Sequence, residues 1–265
     1  MMKNILLSVR VTVRPFERCT LPLTHGQFLQ KVLFDTLGST GKELHDRKEY
    51  RPFSVWGISL PPSTKIKDHA YQLEPFHSGY FDVVFFDEEL INIAASRWKK
   101  LERGVLRIGS CAFKVTKISL MYKGTQFFGH NRDAQTLDIA LKSPYHIVGE
   151  DGFGELLEVG QVRLANILET PRKAYNHISG SEMSRETLLE KCNALTLKKD
   201  RSKLVHIRFP YYKNGKQIIK KGHKGKLVFQ GTMDSQLIDL VKLSNFVGVG
   251  HGRTYGLGKV YARVR

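Results

Sequence analysis

The sequence predicts an α+β protein of two tandem ferredoxin-like domains, each with the element order β-α-β-β-α-β. Three observations carry that expectation. Period-two alternation marks strands in both halves, and helical spacing recurs between them in a matching order. The 265 residues, 41% of them hydrophobic, suffice for one large core or two small ones.

In the first half, residues 5–14 (ILLSVRVTVR) alternate as a strand with one buried face. Thr24 and Gln27 have the form of a capping box, ahead of Phe28, Val32 and Leu33 at helical spacing. Residues 53–60 and 79–86 are rich in aromatic and β-branched side chains and read as strands. Asp87 caps a helix carrying Leu90, Ile93 and Ala94, and a strand at 104–120 closes this half. In the second half, a strand at 135–141 leads through a mixed region to a helix near 181–195 with Leu188, Leu189 and Cys192 near one face. Residues 204–212 meet the Asn214-Gly215 turn pair and return as a hairpin through Gln217 to Lys220. A further strand, 226–231, precedes a helix capped by Thr232 with Leu237, Leu240 and Val241 in register, and residues 259–264 form the last strand. The domains are expected at 1–125 and 126–265, joined near 121–131. The same order of elements is used by RNA-recognition folds.

Charge narrows the partner. Forty-two Lys and Arg against 25 Asp and Glu leave a formal net charge of +17. A polyanion is favoured, because each neutralised phosphate releases condensed counterions. Nucleic acid ranks first and a membrane surface second, since no apolar run reaches the ~18 residues needed to span a bilayer. Cys19, Cys111 and Cys192 form no CxxC pair, so neither a disulfide framework nor a zinc site is expected, and a reducing cytoplasm fits. The excess charge concentrates between Lys198 and Lys226, with eleven Lys or Arg and one acid, Asp200. A strand-turn-strand finger of that kind can lie along an RNA stem and contact phosphates, or it can be a solvated edge whose lysines discourage pairing.

Gly248, Gly250, Gly252, Gly256 and Gly258 fall within eleven positions, between a helix and the terminal strand. Glycine admits positive φ and close backbone approach, leaving N–H groups free for phosphate oxygens, with His251 and Arg253 alongside. No G-x-G-x-x-G fits these glycines, and Gly258-Lys259 is followed by Val260 instead of Ser or Thr, so the dinucleotide fingerprint and the P-loop both fail. The plain alternative is a loop that packs against a helix.

With Gly248-Val249-Gly250 and Gly256-Leu257-Gly258 before the last strand, the sequence resembles the sixth Cas protein family, the CRISPR-associated endoribonucleases that cut precursor CRISPR RNA within its repeats. The segments LPLTHGQFLQ (21–30), LHDRKEYRPFSVWGISL (44–60) and GHKGKLVFQG (222–231) support the likeness in the same order. The resemblance implies attack of a ribose 2′-OH on the adjacent phosphate without metal or other cofactor, leaving a 2′,3′-cyclic phosphate and a 5′-OH. It implies His45 as the catalytic histidine, Arg51 as the group stabilising phosphate charge, and Lys48 as a second cation. Arginine stays charged at neutral pH, so Arg51 has an electrostatic role. Phe34 stands where some members carry a catalytic tyrosine, so either the site works with His45 plus cations, or Tyr50 or His25 takes the missing role.

Candidates for phosphate contact are Arg47, Lys48, Arg208, Lys213, Lys216, Lys220, Lys221, Lys224 and Arg253, with Gly248, Gly250, Gly256 and Gly258 on the RNA-binding surface. The implied partner is CRISPR repeat RNA, with effector-complex subunits and a second copy of the chain as further candidates and no membrane. A catalytically inactive guide-RNA-binding subunit of an effector complex is the competing reading, and a backbone subunit coating guide RNA is another.

Overall fold

Residues 5–46, 50–124, 134–145, 162–213, 216–250 and 252–265 are described by the structure, a computed structural model. In the first half, β1 (Ile5–Pro15), β3 (Phe53–Val55), β6 (Gly79–Phe85) and β8 (Cys111–Gly124) form an antiparallel sheet in the order β3-β6-β1-β8, with β7 (Val105–Ile108) added beside β8. In the second half, β9 (Ala134–Tyr145), β10 (Leu195–Lys213), β11 (Lys216–Met233) and β12 (Val260–Val264) repeat that order as β10-β11-β9-β12. With the intervening helices, this is the ferredoxin-like topology twice over. A three-stranded sheet, β2 (Cys19–Pro22), β5 (Ala70–Leu73) and β4 (Lys65–Lys67), flanks the first half.

Each half has its own core. Alternation in β1 turns Leu7, Val9, Val11 and Val13 inward, where they meet Leu29 and Leu33 of α1 (Gly26–Leu37) and Ala94 and Trp98 of α3 (Glu88–Lys99). Burying each such aliphatic side chain contributes about 1.5–3 kcal/mol. Asp87 caps α3, accepting from the Leu90 N–H at 3.0 Å, with acids in the first turn and bases in the last. In the second core, Leu137, Ile139 and Leu141 of β9 pack on α4 (Leu164–Ser179) and α6 (Ser235–Val247). Among the described residues, no helix is long and apolar enough to cross a membrane.

Several expectations change. α4 occupies the region read as mixed, because Pro171 interrupts a pattern whose buried positions, Leu164, Ile167, Leu168, Pro171 and Ala174, are helical. The strand expected at 104–120 is the β7–β8 hairpin, turned at Gly109 with φ +64°. Only residues 53–55 of the strand expected at 53–60 lie in the sheet. Thr24 does not cap α1. Its hydroxyl donates to the Arg208 carbonyl, and His25 holds the cap position without a side-chain bond to the helix N-terminus. Asp234, not Thr232, caps α6, accepting from Leu237 N–H at 2.8 Å. Cys19 and Cys111 pair as a disulfide across 92 residues, a long-range contact that cysteine spacing does not signal. The Asn214-Gly215 turn and most of the expected 121–131 junction lie outside the described residues.

The halves meet through Leu6 and Val84 on the first sheet, Trp56 and Phe86 just past its strands, and Ala174, Leu243 and Val247 on α4 and α6. The Ser54 hydroxyl donates to the Val247 carbonyl at 2.6 Å across that junction.

Candidate active site

Gly38, at φ +63°, ends α1 and turns the chain at once into α2 (Ser39–Asp46). Leu44 and Gly41 face inward on α2, which leaves Lys42 and His45 exposed on its outer side. The His45 imidazole stands edge-on to Phe34, with ring centroids 5.5 Å apart. Nδ1 lies 3.0 Å from an Asp46 carboxylate oxygen. With Asp46 accepting from Nδ1–H, the Nε2 lone pair remains for chemistry. Both side chains are about two-thirds exposed, so the pair orients the ring more than it stabilises the fold.

A groove of about 650 Å³ opens between α1 and α2, lined by Gln27, Gln30, Lys31, Phe34, Lys42 and His45 among others. Lys31 is paired with Asp35 at 2.9 Å. Lys42, one turn before His45, has no ion pair among the described residues. Gln30 is buried, and its amide nitrogen has no hydrogen-bond partner there. Sequence reading missed Lys42 and Gln30, although the i, i+3 spacing of Lys42 and His45 on one helix was an available signal.

Arg51 comes to the same place, donating from its guanidinium to the His45 carbonyl at 3.1 Å. The structure therefore brings His45, Phe34 and Arg51 together. Tyr50 goes elsewhere. Its ring packs near Phe86 and His177, beneath the Arg253 guanidinium at 4.9 Å, and its buried hydroxyl has no partner among the described residues. Burial pushes the phenol well above its ordinary range, opposite to what proton exchange at neutral pH needs. Lys48 and Arg47 lie outside the described residues.

His25 is buried at the start of α1. Nδ1 lies 2.8 Å from the Pro22 carbonyl, and Nε2 accepts from the Ile58 N–H at 2.7 Å, which fixes a neutral ring. Burial lowers its pKa from 6.5 to about 4. The native state thus stays unprotonated where the unfolded chain takes up a proton, so stability is full above pH 6.5 and declines as pH falls toward 4. Between pH 7 and pH 5 the loss from this one group is expected to be about 2 kcal/mol. Urea unfolding at both pH values tests this: His25→Gln should show a smaller pH difference than the wild type, and an identical difference would exclude His25 as its source.

On the long hairpin, Arg208, Lys220, Lys221 and Lys224 are exposed. The Arg208 guanidinium is 2.9 Å from His69 Nε2, and its carbonyl takes the Thr24 hydroxyl, so the hairpin touches the start of α1. The side chains of Lys213 and Lys216 lie outside the described residues, as does His251.

The glycine segment docks against the first half. Arg253 is 7% exposed and donates to the Arg51 and Phe53 carbonyls and, at 3.2 Å, to the Ser54 hydroxyl. Its cation also faces the Phe86 ring at 5.3 Å. Through these interactions the buried guanidinium clamps the segment to the first half. Gly248, Gly250, Gly256 and Gly258 all have positive φ. At Gly248 a Cβ would overlap Trp56, and Gly256, bridged to Trp56, lies against Gly26 and Gly57. Close docking onto the first half therefore accounts for Gly248 and Gly256, whereas at Gly258 a Cβ would overlap the Val249 carbonyl of the same segment.

Residues 88–260 match the family described as CRISPR-associated endoribonuclease Cas6. No curated protein matches the chain by sequence. Two solved Cas6 product complexes share the fold, one with a TM-score of 0.73 and 13% identity over 97% of this chain and 100% of that one, the other with 0.70 and 17% over 98% and 99%. A Cas6-related protein from Pyrococcus furiosus is similar at 0.63 and 14%, over 97% and 98%.

Proposed function

The chain belongs to the CRISPR-associated Cas6 endoribonuclease family, and from that premise we propose that it binds CRISPR repeat RNA and cuts precursor crRNA by metal-independent attack of a ribose 2′-OH. The observation that carries this reading is His45, exposed on the groove with Nδ1 held by Asp46. His45 Nε2 removes the 2′-OH proton, the 2′ oxygen bonds to phosphorus, and the bond from phosphorus to the 5′ oxygen breaks. The products are a 2′,3′-cyclic phosphate and a 5′-OH. Lys42, on the same wall as His45, supplies positive charge to the phosphorane and a proton to the departing 5′ oxygen, the task Phe34 cannot perform. Arg51 contributes its remaining donors to the phosphate. Arg208, Lys220, Lys221 and Lys224 hold the RNA backbone along the hairpin.

Lys42→Ala is expected to lower single-turnover cleavage by roughly a hundredfold while leaving RNA affinity largely intact. A rate within a few-fold of wild type would remove Lys42 from the chemistry. Phe34 also favours a second reading, a catalytically inactive guide-RNA subunit, because it takes a proton-transfer group away from the groove. Complete inertness of the wild-type protein on its own repeat RNA, with binding retained, would select that reading.

A further inference from the structure

The outer face of the second sheet, opposite its core, is built in two transverse rows. Strand register places Arg201, Lys226, Ala140 and Tyr261 side by side across β10, β11, β9 and β12. The next row on the same face is Lys199, Val228, Asp138 and Arg263. Together these residues line a trough of about 370 Å³ with Ala140 and Val228 on its floor. Its one carboxylate, Asp138, is paired with Arg265. Lys199, Arg201, Lys226 and Arg263 are exposed and have no ion pair among the described residues, and Tyr261 is 59% exposed.

Such an arrangement needs an explanation beyond solubility. Four cations with no ion pair among the described residues repel one another across one sheet face, a cost that falls when an anion lies between them. A small apolar floor between cations, with an aromatic ring at one edge, suits a flat base whose phosphates lie to either side. A duplex does not fit that description, since it offers its backbone and a shallow groove and keeps its bases stacked inside. An acidic protein would use the cations but leave the ring and floor without a role. The trough is lined from the second sheet and Arg265 just past it, whereas the His45 groove is lined from α1 and α2 and the turn between them.

We propose that this sheet face is a second RNA site, which binds single-stranded RNA by stacking a base on Tyr261 and holding its phosphates with Arg201, Lys226 and Arg263. The identity of the ligand as RNA rests on the nuclease reading, but the site is separate from the catalytic groove. Its occupant is the unpaired stretch flanking the segment cut at His45, so the two sites engage one strand and add their affinities.

Fluorescence anisotropy with a labelled oligouridylate as probe tests this. Tyr261→Ala is expected to weaken binding roughly tenfold. The triple variant R201Q/K226Q/R263Q should reduce the slope of log affinity against log salt by about 0.7 for each phosphate that is no longer neutralised. All four positions are exposed, and an unchanged thermal midpoint would show that folding is retained. Oligouridylate binding and salt slope equal to wild type in the triple variant would overturn the proposal. So would binding of polyglutamate at this face in preference to oligouridylate, which would make it a protein-docking surface. Absence of repeat-RNA cleavage by the wild type would count against the nuclease reading alone, because the binding comparison does not depend on it.

Discussion

Replacing His45 by alanine is expected to slow cleavage of the repeat RNA by roughly a hundred- to ten-thousand-fold, the range a positioned general base contributes. The size follows from the fate of the other candidates for the base. Tyr50 is buried beneath Arg253, the two ring nitrogens of His25 are both engaged within the fold, and Phe34 has no proton to exchange. Fold and RNA affinity should survive, because the imidazole is exposed and, among the described residues, its one polar side-chain contact is to the neighbouring Asp46. Single-turnover assays and binding titrations on the same variant separate the two effects. Cleavage at the wild-type rate would remove His45 from the mechanism.

Arg253→Ala is expected to be the most destabilising single change at the junction of the halves. It strips the donor from the Arg51 and Phe53 carbonyls and the Ser54 hydroxyl, and removes a cation from two aromatic faces. Buried acceptors left without a charged donor cost about 3 kcal/mol or more in total. For a chain of this size that corresponds to a fall in thermal midpoint of roughly 5–10 °C. Lysine should recover only part, since a single ammonium does not reproduce the planar fork that reaches several acceptors. The same clamp fixes the backbone at Arg51, whose side chain reaches the His45 carbonyl, so residual activity should fall even below the unfolding transition. Circular dichroism melts would show the shift, and an unchanged midpoint would mean that Arg253 does not hold the halves together.

Much of the fold was legible because its signals are local. Period-two alternation in β1 and the Asp87 cap of α3 need only neighbouring residues to be read, and both stand as expected. α4 was lost because Pro171 sits inside it, and the Cys19–Cys111 pair because 92 residues separate its members. The site divides in the same way. His45, Phe34 and Arg51 lie close in space, and it was the resemblance to the family, not any pattern of these residues alone, that suggested them. The fate of Tyr50 and Arg253 was decided by each other, across about two hundred residues of chain that no local pattern spans. Arg253 and the glycines around it carried the composition of a phosphate loop because glycine serves two needs equally well: approach to a ligand and approach to another part of the same protein.

The most direct test is the chemistry of the cut ends. The wild-type protein is incubated in EDTA with RNA transcribed from the repeat array beside its gene, and the fragments are weighed by mass spectrometry. The account predicts one cut per repeat, with a 2′,3′-cyclic phosphate on the upstream fragment and a 5′-OH on the downstream one. A 3′-hydroxyl paired with a 5′-phosphate, or cleavage that appears only when a divalent metal is restored, would contradict it.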